Sequence, residues 1–203
     1  MDFHFTPEQD QLRADVRAFL AERLPAAAED IAEGYHWGFD PNFSRALGEQ
    51  GWLGVTFPTE YGGRGWGYLE QAILNEELGY ARAPTACHRT GVFYVAPVLL
   101  LHGNEDQKRA FLPAIARGEA PFCQGFSEPN SGSDLASLRT RAVRDGDDWI
   151  VNGQKIWTTE AHHAEYCWLT ARTNPDNPKH RGISCFIVDM ASPGVSVRPV
   201  ISL

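Results

Sequence analysis

A chain of 203 residues, 43% hydrophobic and 22% charged with a net charge of -8, can bury one large core or two smaller ones. The acidic balance argues against nucleic acid or an anionic membrane surface as the main partner, while leaving room for a small anionic ligand in a local positive pocket. The opening MDFHFTPEQD has neither the basic nor the apolar region of a secretory leader. The longest apolar run, residues 92–101, is interrupted by Tyr94 and Pro97 and is too short to span a bilayer, so the expected location is cytoplasmic. Cys87, Cys123, Cys167 and Cys185 form no CxxC pair and read as buried, reduced thiols rather than a disulfide framework or zinc site.

In chain order, the first part reads as helices. Thr6-Pro7-Glu8-Gln9 is a capping signal, after which Leu12, Val16, Phe19 and Leu20 fall on one helical face. Asp40-Pro41 starts a second helix that Gly51 ends. A third, over 68–78, stops at Gly79. Asn104 with Gln107 caps a fourth, which Gly118 closes and in which Pro113 predicts a kink or an early stop. The glycine-rich FPTEYGGRGWG at 57–67 lacks GxGxxG spacing and a strand–turn–helix setting, so it reads as a tight loop rather than a dinucleotide fingerprint.

From about Pro121 the texture changes to strands. Trp149-Ile150-Val151, Asn152-Gly153 and 154–158 predict a hairpin on a type I′ turn, with Trp157 and Thr159 on one face and Thr158 on the other. Asp145-Gly146 marks another turn, and 166–172, 183–189 and 195–200 read as further strands. Residues 174–180 read as a surface loop. Two domains follow, 1–120 helical and 121–203 β.

The junction carries FCQGFSEPNSGSDLAS, residues 122–137. A strand over 122–126 leads to Pro129, and residues 130–134 can expose consecutive N–H groups to anionic oxygens, helped by a short helical turn from Asp134. Gly132 permits close backbone approach; Ser127 and Ser133 carry hydroxyls that both donate and accept. A polar capping turn is the alternative reading. In the second segment, an indole beside hydroxyls suits the covering of an aromatic cofactor, and a structural tryptophan on a sheet face is its alternative.

Together, GFSEPNSGSDLAS and VNGQKIWTT resemble the two flavin signatures of the acyl-CoA dehydrogenase family. GWLGVTFPTEYGG, LNEELG and HGNEDQKRAFLPAIARGE resemble that family's N-terminal domain. The resemblance implies an α+β fold, an all-α N-terminal domain followed by an antiparallel β-barrel-like or sandwich middle domain. It implies FAD as cofactor, held by Gln124, Gly125, Phe126, Ser127, Gly132 and Ser133 from the first signature and Trp157, Thr158 and Thr159 from the second. Ser127 falls at the flavin edge, Gly132-Ser133 near phosphate, Ser133 also on the acyl-CoA, and the Thr159 hydroxyl near N5. Phe126, Ser127 and Glu160 depart from the residues commonest in the family.

The implied activity is α,β-dehydrogenation of an acyl-CoA, with electrons passed to an electron-transfer flavoprotein or similar acceptor. An oxygen-using oxidase or monooxygenase of the same superfamily and a non-catalytic half-subunit of a heteromeric complex are the competing readings. The family's base comes from a C-terminal helical domain, also the expected surface for homo- or hetero-oligomers. No Asp or Glu here takes the role, so the chain reads as the N-terminal portion of a longer enzyme. Expressed alone, it is expected to leave a sheet edge and apolar helix faces uncovered. Cys87-His88-Arg89-Thr90 lies where the family builds the floor of the acyl pocket, with Arg89 read as an exposed charge at a helix end. His162-His163 reads as surface rather than as metal ligands, for want of a third ligand.

Overall fold

The structure, a computed structural model, describes residues 4–24 and 38–200. The chain divides into two compact units, Met1–Ala120 and Pro121–Leu203. In the first, helix α1 (Pro7–Arg23) opens on a complete capping box, the Thr6 side chain accepting from Gln9 N–H and Gln9 reaching back to the Thr6 N–H. Leu12, Val16 and Leu20 are buried along one stripe, and Phe19 stacks edge-on to Trp52 with ring centroids 5.2 Å apart. Helix α2 (Pro41–Glu49) is capped by Asp40, whose carboxylate accepts from Asn42 and Phe43 N–H groups. Gly51 follows it at φ 69.

Helix α3 (Tyr68–Tyr80) runs through Gly79 instead of stopping there. The chain turns later, at Arg82 (φ 51). Residues 57–67 form the expected loop, with a short 3₁₀ turn at Thr59–Tyr61. Helix α4 (Ala86–Thr90) continues through a wide π-helical turn, Gly91–Val95, into α5 (Ala96–His102). Pro97 has no N–H to give Phe93, and at the widened turn Ala96 N–H bonds Gly91 O. Arg89 is exposed, as expected, but sits within this continuous helical stretch rather than at an end. Helix α6 (Glu105–Ala116) carries the Asn104–Gln107 capping box and does not stop at Pro113.

The core of this unit gathers Val16, Leu47, Val55, Phe57, Ile73, Leu74, Val95, Leu112 and Ile115, all at most 2% exposed. Glu77 on α3, 4% exposed, is a charge buried with them. Arg17 Nε and Nη2 donate to its two oxygens at 2.8 and 3.0 Å, and Arg13 adds a further close contact. The Arg17 bond, joined by Arg13 and opposed by burial, holds this carboxyl below its ordinary 4.5. The pair fixes how α1 lies on α3.

In the second unit β4 (Tyr166–Arg172) is central. It pairs in parallel with β1 (Phe122–Gly125) and antiparallel with β5 (Ile183–Asp189), and bridges β2 (Arg141–Asp145) in parallel at Arg141↔Arg172. β2 forms a hairpin with β3 (Asp148–Asn152) through Gly146, at φ 62. The sheet is mixed and open, which corrects the expected antiparallel barrel-like or sandwich description. No strand forms over 195–200. Cys87, Cys123 and Cys167 are buried, as expected, but Cys185 is exposed. Among the described residues, no helix is long and apolar enough to cross a membrane. Tyr68, Leu69, Tyr80 and Leu101 are exposed apolar side chains of the helical unit.

Two substitutions separate glycines that look alike in sequence. A Cβ at Gly79 would meet nothing within 4 Å, whereas at Gly48 it would lie 2.4 Å from the Arg117 carbonyl oxygen. Gly79→Ala should stabilise by up to about 1 kcal/mol; Gly48→Ala should destabilise by about 1–3 kcal/mol. Glu77→Gln should cost about 2 kcal/mol. Because the folded pKa of Glu77 is depressed, its contribution is present above about 4.5 and is lost as pH falls through the lower folded value. Urea unfolding of each variant at neutral pH and at pH below that value checks all three.

Candidate functional site

The segment after β1 is built as a tight polar loop. Glu128 and Ser131 exchange backbone bonds, Glu128 N to Ser131 O at 2.7 Å and the reverse at 3.0 Å, with Pro129-Asn130 at the tip. Ser131 Oγ donates to Asp134 O at 2.7 Å, and the 3₁₀ turn Leu135–Ser137 follows. Thus the expected helical turn from Asp134 is present, and it is three residues long. Gly132 and Ser133 are exposed, while Gln124, Phe126 and Ser127 are half-buried and Gly125 is buried in β1. Gly125 is glycine for a packing reason: a Cβ there would lie 2.7 Å from Cys167 Sγ.

The second segment departs from its expected conformation. Asn152 ends β3 paired with Arg141, so the chain does not reverse at Asn152-Gly153, and Gly153 is not among the positive-φ glycines. Its missing side chain serves a close approach instead: a Cβ would fall 2.3 Å from Thr140 Oγ1 and 2.7 Å from Thr140 Cα. Residues 153–157 run on without strand pairing. Trp157 adopts φ 58 and Glu160 φ 61, left-handed conformations that are strained for side chains with a Cβ and cluster at functional sites. Thr159 N–H closes back on Trp157 O at 3.1 Å. The strand is lost but the split of faces is kept: Trp157, 69% exposed, and Thr159 stand out while Thr158 is half-buried.

Both segments meet at one carboxylate. Glu128, 9% exposed, accepts from Arg139 N at 2.7 Å and Thr140 N at 2.8 Å. Lys155 Nζ donates to Glu128 Oε1 and to Phe126 O, each at 3.0 Å, and Ile156 N donates to Ser127 O at 2.9 Å. Burial alone would raise the Glu128 pKa; hydrogen bonds from Thr140, the Arg139 N–H and Lys155 outweigh it and lower the value to about 2. Burial dominates at Lys155 and lowers its pKa despite Glu128. Sequence reasoning assigns Lys155 no role. The available signal was an ammonium within an otherwise apolar and aromatic run, KIW, for which burial demands a partner.

Two features bear on whether these residues fit a flavin. Thr158 Oγ1 is buried without a hydrogen-bond partner among the described residues, a state that asks for an external partner. The side of Gly132 where a Cβ would stand is open, with nothing within 4 Å. The second signature thus offers one unspent hydroxyl and the first offers open space at Gly132, both compatible with such a group.

Elsewhere, His88 is buried and shares a 2.8 Å hydrogen bond with Ser44 Oγ; burial pushes its imidazole down to about 4. His88 and Arg89 border a pocket of about 440 Å³ inside the helical unit, together with Asn75, Arg82 and Phe93. Glu160 brings a third candidate ligand to His162 and His163, their donor atoms lying within 4.8 Å of one another. This corrects the expectation that no third group was near, although both histidines are exposed.

Comparison with known proteins follows the same two-part division. Residues 6–119 match the family model "Acyl-CoA dehydrogenase, N-terminal domain" and residues 123–202 match "Acyl-CoA dehydrogenase, middle domain". The acyl-CoA dehydrogenase FadE29 of Mycobacterium tuberculosis is 46% identical over 202 residues, 99% of this chain and 52% of that protein. The ChsE4–ChsE5 complex of Mycobacterium tuberculosis superposes with a TM-score of 0.89 at 40% identity, covering 100% of this chain and 52% of the other. The Tcur3481–Tcur3483 steroid ACAD gives a TM-score of 0.84 at 40% identity, covering 96% and 50%. The chain spans about half the length of the curated relatives it matches.

Thr158→Val should leave the stability of the cofactor-free protein unchanged or slightly higher, because it removes a buried hydroxyl that has no partner. Gly153→Ala should destabilise it by at least about 1–3 kcal/mol. Thermal unfolding of the two variants side by side checks both signs.

Proposed function

The chain belongs to the acyl-CoA dehydrogenase family, and we propose that it supplies the flavin-holding part of an enzyme that dehydrogenates an acyl-CoA thioester. The observation that carries this reading is the joining of the two signature segments at Glu128–Lys155, with the Thr158 hydroxyl left unpartnered beside them. FAD bound there supplies the hydride acceptor for conversion of the saturated thioester to its α,β-enoyl form. Ser127, Thr158 and Thr159 are proposed to donate to the flavin ring edge, Gln124, Gly125 and Phe126 to floor it, and Trp157 to cover it. Gly132 and Ser133 would take the pyrophosphate with their backbone N–H groups, Ser133 also touching the thioester ligand.

The α-proton requires a carboxylate base near the operating pH. Glu128 does not qualify: its oxygens are engaged by Arg139, Thr140 and Lys155, and a group held at about 2 is a weak base. The base is proposed to come from residues outside this chain. The proposed electron acceptor is an electron-transfer flavoprotein, and the proposed setting is cytoplasmic. Likeness to a steroid ACAD makes a bulky, ring-bearing acyl group the first substrate class to try.

A second reading has its own support. ChsE4–ChsE5, matched over the whole of this chain, is a complex of two different chains. On this reading the chain is half of a heteromer, in which a partner carries the base.

Full-length protein purified from its native source should carry oxidised-flavin absorbance that bleaches anaerobically on adding a steroid or branched acyl-CoA. Thr158→Val should weaken FAD binding by about tenfold, the loss of one well-placed hydrogen bond. Flavin-free protein that does not take up FAD would overturn the reading. Bleaching only when a second chain co-purifies would select the heteromer.

A further inference from the structure

The two flavin segments are far apart in sequence, yet three hydrogen bonds join them. Two of these come from one ammonium, Lys155 Nζ to Phe126 O and to Glu128 Oε1, each 3.0 Å. The third is Ile156 N to Ser127 O at 2.9 Å. Side chains of Lys155 and Glu128 are only 10% and 8% exposed, so neither charge is screened by solvent and each depends on the other. Glu128 carries the connection onward, since its second oxygen accepts Arg139 N at 2.7 Å and the shared one Thr140 N at 2.8 Å. Its own backbone closes the signature loop on Ser131. A single ion pair therefore joins the end of β1, the start of β2 and the approach to the strained Trp157.

We propose that Glu128 and Lys155 are positioning residues that hold the two flavin segments in one register, so that the cradle for FAD is assembled before the cofactor arrives. The proposal rests on the flavin reading above for the identity of the ligand, but not for the clamp itself. Without the ammonium, Phe126 O loses its donor and the Glu128 carboxylate is left buried beside two amides. Ile156–Ser127 alone then bridges the segments, and the loop over 127–133 and the turn over 156–160 are released together. A residue that merely added stability would instead loosen the sheet as a whole.

The test uses the full-length protein and the variants Lys155→Met, Lys155→Arg and Glu128→Gln, with two readouts. Hydrogen exchange of the FAD-free protein should show, in Lys155→Met, at least tenfold faster exchange at 127–133 and 156–160 together. Exchange across β4 and β5 should stay at the wild-type rate. FAD affinity, read by flavin fluorescence, should fall at least tenfold in Lys155→Met, and Lys155→Arg should restore most of both properties. Glu128→Gln, which keeps the shape but not the charge, should reproduce the paired acceleration should Lys155→Met fail to fold. Equal acceleration in β4 and β5, or no acceleration in either segment, would overturn the clamp. Wild-type protein that takes up no FAD while the paired exchange effect persists would sustain the clamp and remove the flavin as its ligand.

Discussion

A buried carboxylate with no freedom to leave is the constraint around which the β unit is arranged. Glu128 is only 9% exposed, and a buried charge without partners is costly, so it must be met by donors from several directions. Two backbone amides and one ammonium meet it, and these come from separate stretches of chain. Satisfying one charge thereby fixes three segments at once. The Thr158 hydroxyl is left without a partner among the described residues, and the space beside Gly132 is left open. Thr140 Oγ1 and Thr170 Oγ1 are likewise buried without a partner among the described residues, so it is the position of Thr158 in the second signature, and not its unspent hydroxyl alone, that sets it apart.

The helical unit solves a related problem at Glu77, with a different purpose. There the carboxylate faces two arginines of one helix, and the result is a fixed packing angle between α1 and α3 rather than a site. Both carboxylates are held below their ordinary range, so both contributions fade in acid. The wide turn Gly91–Val95 breaks helical regularity beside Cys87-His88-Arg89-Thr90, and π-turns of this kind recur at functional positions.

Much of this was legible in the sequence where the determinant is local. The capping boxes at Thr6–Gln9 and Asn104–Gln107 are short-range hydrogen-bond patterns, and they occur as read. The turn at Asp145-Gly146 needs only a positive φ, and it has one. Errors came where the determinant is long-range. Asn152-Gly153 carries the composition of a type I′ turn, but Gly153 is demanded by Thr140, which packs against it from β2's approach. Gly79 looks like a helix end, yet α3 runs through it, and of the two readings at Pro113 the early stop does not occur. Parallel pairing of β1 with β4 leaves no local signature at all. Lys155 leaves only a weak local signal, the ammonium in KIW, because the partner that buries it, Glu128, is distant in sequence.

The central claim is that the two signature segments form one cradle whose spare hydroxyl belongs to a flavin. A crystal structure of the full-length protein with FAD tests it most directly. The account predicts the isoalloxazine edge within about 3 Å of Thr158 Oγ1, with Trp157 against the ring and the Glu128–Lys155 pair unchanged. A flavin bound elsewhere, or a Thr158 hydroxyl that remains unpartnered with FAD in place, would contradict it.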